Sequence, residues 1–193
     1  ESLSDYQHHH PTADSLYDGV WNFQLTPRKP GKYVVFLDFI PVRSPRRVLL
    51  KSSFEVSGNS RSDEHYAPVK HPLVKKLGEN LFELAILSND ADASDPSVNL
   101  RLRVTDESGK LITLSPVMGA FAHMVAFDQE LNGFAHLHPL ENPLPPKKDD
   151  LQAGELTFNF LPPQEGRFRL WAQLKLLGSD LETFVPFDLE VGI

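Results

Sequence analysis

Two stretches of this chain repeat one another. LSDYQHHHP (3–11) aligns with LNGFAHLHP (131–139) at a constant offset, pairing His8 with His136 and His10 with His138. Further on, TPRKPGKYVVFLDF (26–39) aligns with LPPQEGRFRLWAQL (161–174). That second match shares Pro-x-x-x-Gly, a basic residue, an aromatic and an alternating strand. Both copies close on similar segments, SSFEVSG and PFDLEVG. The offset rises from 128 to 135 between the blocks, so the second copy carries a longer loop, the Pro-rich PLENPLPPKKDD. A chain built this way is expected to fold one unit twice.

The unit is made of strands. YVVFLDF (33–39), RVLLKSSFEV (47–56), NLFELAIL (80–87), VNLRLRVTD (98–106), AHMVAFD (122–128), GELTFNFL (154–161), RFRLWAQLKLL (167–177) and TFVPFDLEV (183–191) alternate or are rich in β-branched and aromatic residues. Turn residues flank most of them. NLRLRVTDESGKLITL reads as a hairpin about DESGK. Only HPLVKKLGENL (71–81) hints at helix. Sixteen prolines against two methionines point the same way. The fold class expected is all-β, an Ig-like or cupredoxin-like Greek-key β-sandwich in two related repeats. The repeats divide as a partial one over 1–58, a polar linker over 59–73 and a complete one over 74–193. As given, the first copy has almost nothing ahead of its His-x-His. Its missing strands are expected either upstream or replaced by packing on something else. ESLSDYQ is no natural start and no signal peptide is visible, so a processed or trimmed form is expected.

Three of the eight histidines, His123, His136 and His138, fall within MGAFAHMVAFDQELNGFAHLHP. Side chains two apart on a strand share a face, so His136 and His138 point together and can converge on one ion. A third ligand must come from a neighbouring strand, and the register of the hairpin decides whether His123 supplies it. A turn over Asp128–Gly133 puts His123 opposite His138, with His136 diagonal on the same face. A tight two-residue turn at Asn132–Gly133 instead moves His123 four residues beyond His138, too far for a shared ion. The longer turn is favoured, because the repeat makes Leu3 and Leu131 equivalent, as plugs of the sandwich end. Met118 is a reserve thioether ligand, and imidazoles with or without it suit copper or zinc. The outer ring nitrogens need acceptors, and Asp128, Glu130 and Glu141 are carboxylates nearby in sequence, though the sequence assigns none of them that geometry. His8 and His10 form a weaker candidate pair.

The segment PVMGAFAHMVAFDQELNGFAHLHP resembles a family of bacterial secreted or periplasmic β-sandwich modules associated with copper-type heavy metals. The matching residues are Met118, Gly119, His123, His136, His138 and Pro139. The resemblance covers the second copy best, about 98–191, and implies metal association, a periplasmic or extracellular location and a partner in a metal-efflux system. The first copy, as given, lacks the Met-Gly-x-x-x-His half.

Other chemistry is excluded or weak. No cysteine is present, which removes thiolate sites and disulfides. A net charge of −7 argues against nucleic acid as partner. No apolar run reaches a membrane span of about 18 residues. NDADASDPS (89–97) resembles a calcium loop but lacks its glycine and terminal glutamate. His65 and His71, in the linker, read as solvated. Three histidines and a water could make an enzyme, but no general base or pocket is nominated, so a non-catalytic metal binder is favoured. The alternative is a cell-surface structural or interaction module whose histidines only pack.

Overall fold

The computed structural model describes residues 5–15, 18–44, 46–58, 73–87, 96–141 and 144–192. The chain forms two compact units, 1–67 and 68–193, whose boundary falls inside the polar segment 59–73. Residues 59–72 of that segment, with His65 and His71, and residues 88–95 of the acidic loop lie outside the described residues. All regular structure described is β, arranged in antiparallel sheets.

In the first unit β1 (Gly31–Phe39) pairs antiparallel with β2 (Val48–Val56). Tyr33 stacks on its partner Phe54 at 5.3 Å between ring centroids. The segment ahead of the hairpin is fastened to it by side chains. The Tyr33 hydroxyl and the Arg28 amide both donate to Asp5 Oδ2, at 2.6 and 2.9 Å. Gln7 bonds both the carbonyl and the amide of Thr26. Burial, and then the Asp5 bond, raise the Tyr33 pKa.

The second unit begins with β3 (Val74–Leu77) and β4 (Asn80–Leu87), a hairpin where the sequence hinted at helix. Gly78, at φ 60°, supplies the left-handed turn that ends any helical run. β5 (Val98–Thr105), β6 (Thr113–Ser115), β7 (Ala122–Asp128), β8 (Phe134–Leu137), β9 (Gln152–Ala153), β10 (Glu155–Phe160), β11 (Gly166–Leu176) and β12 (Thr183–Val191) follow. One sheet runs β10-β5-β4-β3. In the other, β8 pairs β7, β7 pairs β11, and β11 also pairs β12 and β6, which carries β9.

Alternation explains how the two sheets close on each other. Phe82, Leu84, Leu100, Leu102, Leu156 and Phe158 point inward from one sheet; Met124, Ala126, Leu170, Ala172, Phe187 and Leu189 point inward from the other. Together they form one core. Burying each large side chain contributes about 1.5–3 kcal/mol. The DESGK turn forms as expected, with the Asp106 amide on the Lys110 carbonyl at 2.9 Å. Its second arm does not stay beside β5. After Ile112 the chain enters the opposite sheet as β6, because its strand partners are β11 and β9. Gly154 marks the same crossing on the returning chain. It bonds Val104 and Ile112 at once, and β9 and β10 on either side of it belong to different sheets.

The two hairpins β1–β2 and β11–β12 begin in the same register. Gly31 faces Val56 and Gly166 faces Val191, followed by Lys32 with Glu55 and Arg167 with Glu190.

Candidate metal centre

The site lies on the face of the second sheet turned away from the core. Along β7, Ala122, Met124 and Ala126 enter the core, so alternation sends His123, Val125 and Phe127 to the other side. β8 lies antiparallel to β7 with Val125 facing His136 and Met124 facing Leu137. The same register, carried one residue further, brings His138 opposite His123. This is the arrangement expected of the longer turn, with His136 diagonal to His123.

Asp128 holds that turn open. Its carboxylate accepts the amides of Asn132 and Gly133, at 3.0 and 2.5 Å, and its carbonyl accepts the Leu131 amide at 3.1 Å. Leu131 is buried, with φ at 57°, so the loop turns through an apolar plug rather than tightly at Asn132–Gly133. Asp128 is therefore a clip within the loop, not the acceptor behind an imidazole that sequence position suggested. The other two carboxylates are also engaged elsewhere: Glu130 accepts from the Asn132 side chain and Glu141 from the Thr157 amide.

The three rings stand close together. Centroid separations are 5.3 Å for His123–His136, 4.8 Å for His123–His138 and 4.9 Å for His136–His138. Three imidazoles on one tetrahedral ion, with bonds of about 2.0–2.1 Å, would have centroids about 5 Å apart and nitrogens about 3.3 Å apart. His123 Nδ1 lies 3.1 Å from His136 Nε2. His123 Nδ1 and His136 Nε2 thus have the spacing that a shared first-row ion requires, and the His138 ring stands beside both. Exposure is graded across the three rings: His123 is 1% exposed, His136 is half-buried and His138 is exposed.

The other nitrogen of His123, Nε2, lies 3.0 Å from the Val117 carbonyl. Sequence reading missed this acceptor, because any residue carries a carbonyl and the composition gives no sign of it. Met118 sits beside it, half-buried, in a turn whose two central residues both have positive φ, 46° for Met118 and 81° for Gly119. In the first unit the His8 and His10 rings form a pair of the same kind, 5.2 Å apart at 75°, against 4.9 Å and 79° for His136 and His138.

The family model for a domain of unknown function, DUF8832, matches residues 83–192. The chain belongs to the DUF8832 family. All of Met118, His123, His136 and His138 lie inside the DUF8832 segment, while His8 and His10 lie outside it. No curated protein sequence matches the chain. Among solved structures, a DUF4426 family protein from Pseudomonas aeruginosa PAO1 is similar at 9% sequence identity and a TM-score of 0.41. That match covers 61% of this chain and 94% of the other.

Proposed function

We propose that this DUF8832 protein is a non-catalytic copper- or zinc-binding β-sandwich of the periplasm or extracellular space, serving metal handling or resistance beside an efflux component. The ligands are His123, His136 and His138, with Met118 in reserve and His8 and His10 as a weaker pair. One observation carries the reading: His123 Nδ1 and His136 Nε2 stand 3.1 Å apart on adjacent strands, close to the nitrogen spacing that one ion imposes, with the His138 ring centroid within 4.9 Å of both of theirs. The Met-Gly-x-x-x-His and His-x-His-Pro motifs support the compartment and the class of partner. The matched registers of β1–β2 and β11–β12 support a related repeat of the unit within residues 1–58. So do two equivalent neighbours: Asp5 with Arg28, and Gly133 with Pro163.

Metal analysis of chelator-free protein reconstituted with zinc or copper(II) tests this, beside a His136→Ala/His138→Ala variant. About one equivalent in the wild type and a clear loss in the variant is the expected result. Equal and negligible metal in both would sink it.

A second reading has its own observation. The 3.1 Å bond between His123 and His136 and the contact of His123 with Val117 engage both nitrogens of His123 and one of His136 without any ion. On that reading the cluster is a structural network of a cell-surface module. Substituting the histidines would then cost stability and change no ligand.

A further inference from the structure

The segment ahead of His123 breaks the strand for a reason the ladder itself does not explain. Ser115 pairs with Lys175 and Ala122 with Leu174, so β11 advances by one residue while the opposing chain passes through Pro116–Phe121. Those residues leave the ladder and close a tight turn. The Val117 amide donates to the Ala120 carbonyl at 2.7 Å, and the Ala120 amide donates back at 3.1 Å. Positive φ at both central residues gives the turn type that hairpins use, for which glycine or asparagine is the usual choice at the first position. Here the first position is Met118 at 46°, an uncommon backbone conformation for a residue with a side chain.

In an unbroken strand residues 117 and 123 would be about 20 Å apart. The excursion instead brings the Val117 carbonyl to 3.0 Å from His123 Nε2, where it receives both the Ala120 amide and the imidazole. A carbonyl only accepts, so the neutral His123 ring carries its proton on Nε2 and its lone pair on Nδ1. That lone pair faces His136 Nε2 at 3.1 Å.

We propose, on the metal reading above, that Met118–Gly119 is a positioning turn that commits His123 to bind the ion through Nδ1, while His136 binds through Nε2. The turn makes the Met-Gly-x-x-x-His spacing intelligible. Gly119 meets a φ of 81°, and the excursion returns in register to deliver His123 under the carbonyl it has just positioned.

The experiment uses the full chain with ¹⁵N-imidazole histidine and long-range ¹H–¹⁵N correlation spectra, without metal and with zinc. Expected are an Nε2–H tautomer of His123 in both states and zinc-induced shifts at His123 Nδ1 and His136 Nε2. Gly119→Asn keeps the tautomer and stays within threefold of wild-type zinc affinity, because asparagine accepts a positive φ and an added Cβ there meets open space. Gly119→Val, which does not accept that φ, mixes the tautomers and weakens zinc binding about 10–100-fold. Zinc bound through His123 Nε2 overturns the assignment alone. Loss of the Nε2–H tautomer in Gly119→Asn also overturns it. A titration that moves none of the three rings overturns the metal reading and this assignment with it. If Gly119→Val does not fold, the wild-type spectra and Gly119→Asn still decide.

Discussion

Nδ1 of His123 and Nε2 of His136 stand 3.1 Å apart across neighbouring strands, one side chain buried and the other half-buried. The burial gradient from His123 outward to His138 separates what each histidine does for folding from what it does for an ion.

His123→Ala removes a buried ring, leaves the Val117 carbonyl with one donor fewer and opens a cavity. A loss of about 2–4 kcal/mol in urea unfolding is expected. His138→Ala, at an exposed position, is expected to stay within about 0.5 kcal/mol of wild type. Both variants should lose zinc or copper affinity. Equal stability losses would make the cluster a packing network.

Metal should stabilise the native chain by mass action. At about 100 times the dissociation constant the gain is about 2.7 kcal/mol. The midpoint of urea unfolding should rise with zinc in the wild type and stay fixed in His136→Ala/His138→Ala. Parallel rises in both would place the ion elsewhere.

Strands were legible because alternation needs only local residues, and β1, β2, β4, β5, β7, β10, β11 and β12 all lie on runs chosen for it. Two local signals misled. Val74, Leu77 and Leu81 fall at helical spacing, but Gly78 turns the chain between them into a hairpin. The DESGK turn was visible, yet β6 leaves for a strand far along the chain, and sequence carries no local record of that partner. At the site, Leu131 as an apolar plug pointed to the longer turn. The Asp128 clip and the Val117 carbonyl stayed hidden, since each depends on where the backbone bends back rather than on residue type.

Asp128→Ala should loosen the turn on which the histidine register depends. Its buried carboxylate accepts two backbone amides, Asn132 and Gly133. Losing both is expected to cost about 3 kcal/mol. Asp128→Asn keeps an acceptor and should cost less. Zinc affinity measured by competition should fall in the same order, because a slipped β8 carries His136 and His138 away from His123.

The DESGK turn predicts a pH dependence remote from the site. Bonds from Ser108, and then from the Lys110 amide, hold the Asp106 carboxyl below its usual pKa. A depressed carboxyl stabilises the fold above its unfolded pKa of about 3.9, and that contribution disappears as pH falls through the lower folded value. The stability difference between wild type and Asp106→Ala should therefore be constant above about pH 5 and shrink below about pH 4. A difference that grows on acidification would contradict the assignment.

Gly154 is where side-chain volume should be least tolerated. A Cβ there would lie 2.6 Å from the Ile112 carbonyl oxygen, 2.9 Å from that of Val104 and 3.1 Å from the Val104 Cβ. The two nearest atoms are backbone, so no rotamer change relieves them. The Gly154 amide bonds Ile112 at 2.7 Å and its carbonyl accepts from Val104 at 2.6 Å, so separating the strands also breaks those bonds. Gly154→Ala is expected to cost about 3 kcal/mol or more, read by chemical denaturation. The damage should reach the core between the sheets before the histidine face, since Val104 and Leu114 at this crossing are fully buried. A variant as stable as wild type would mean that the two sheets can part here freely, and the crossing would then not be the fixed corner of the sandwich.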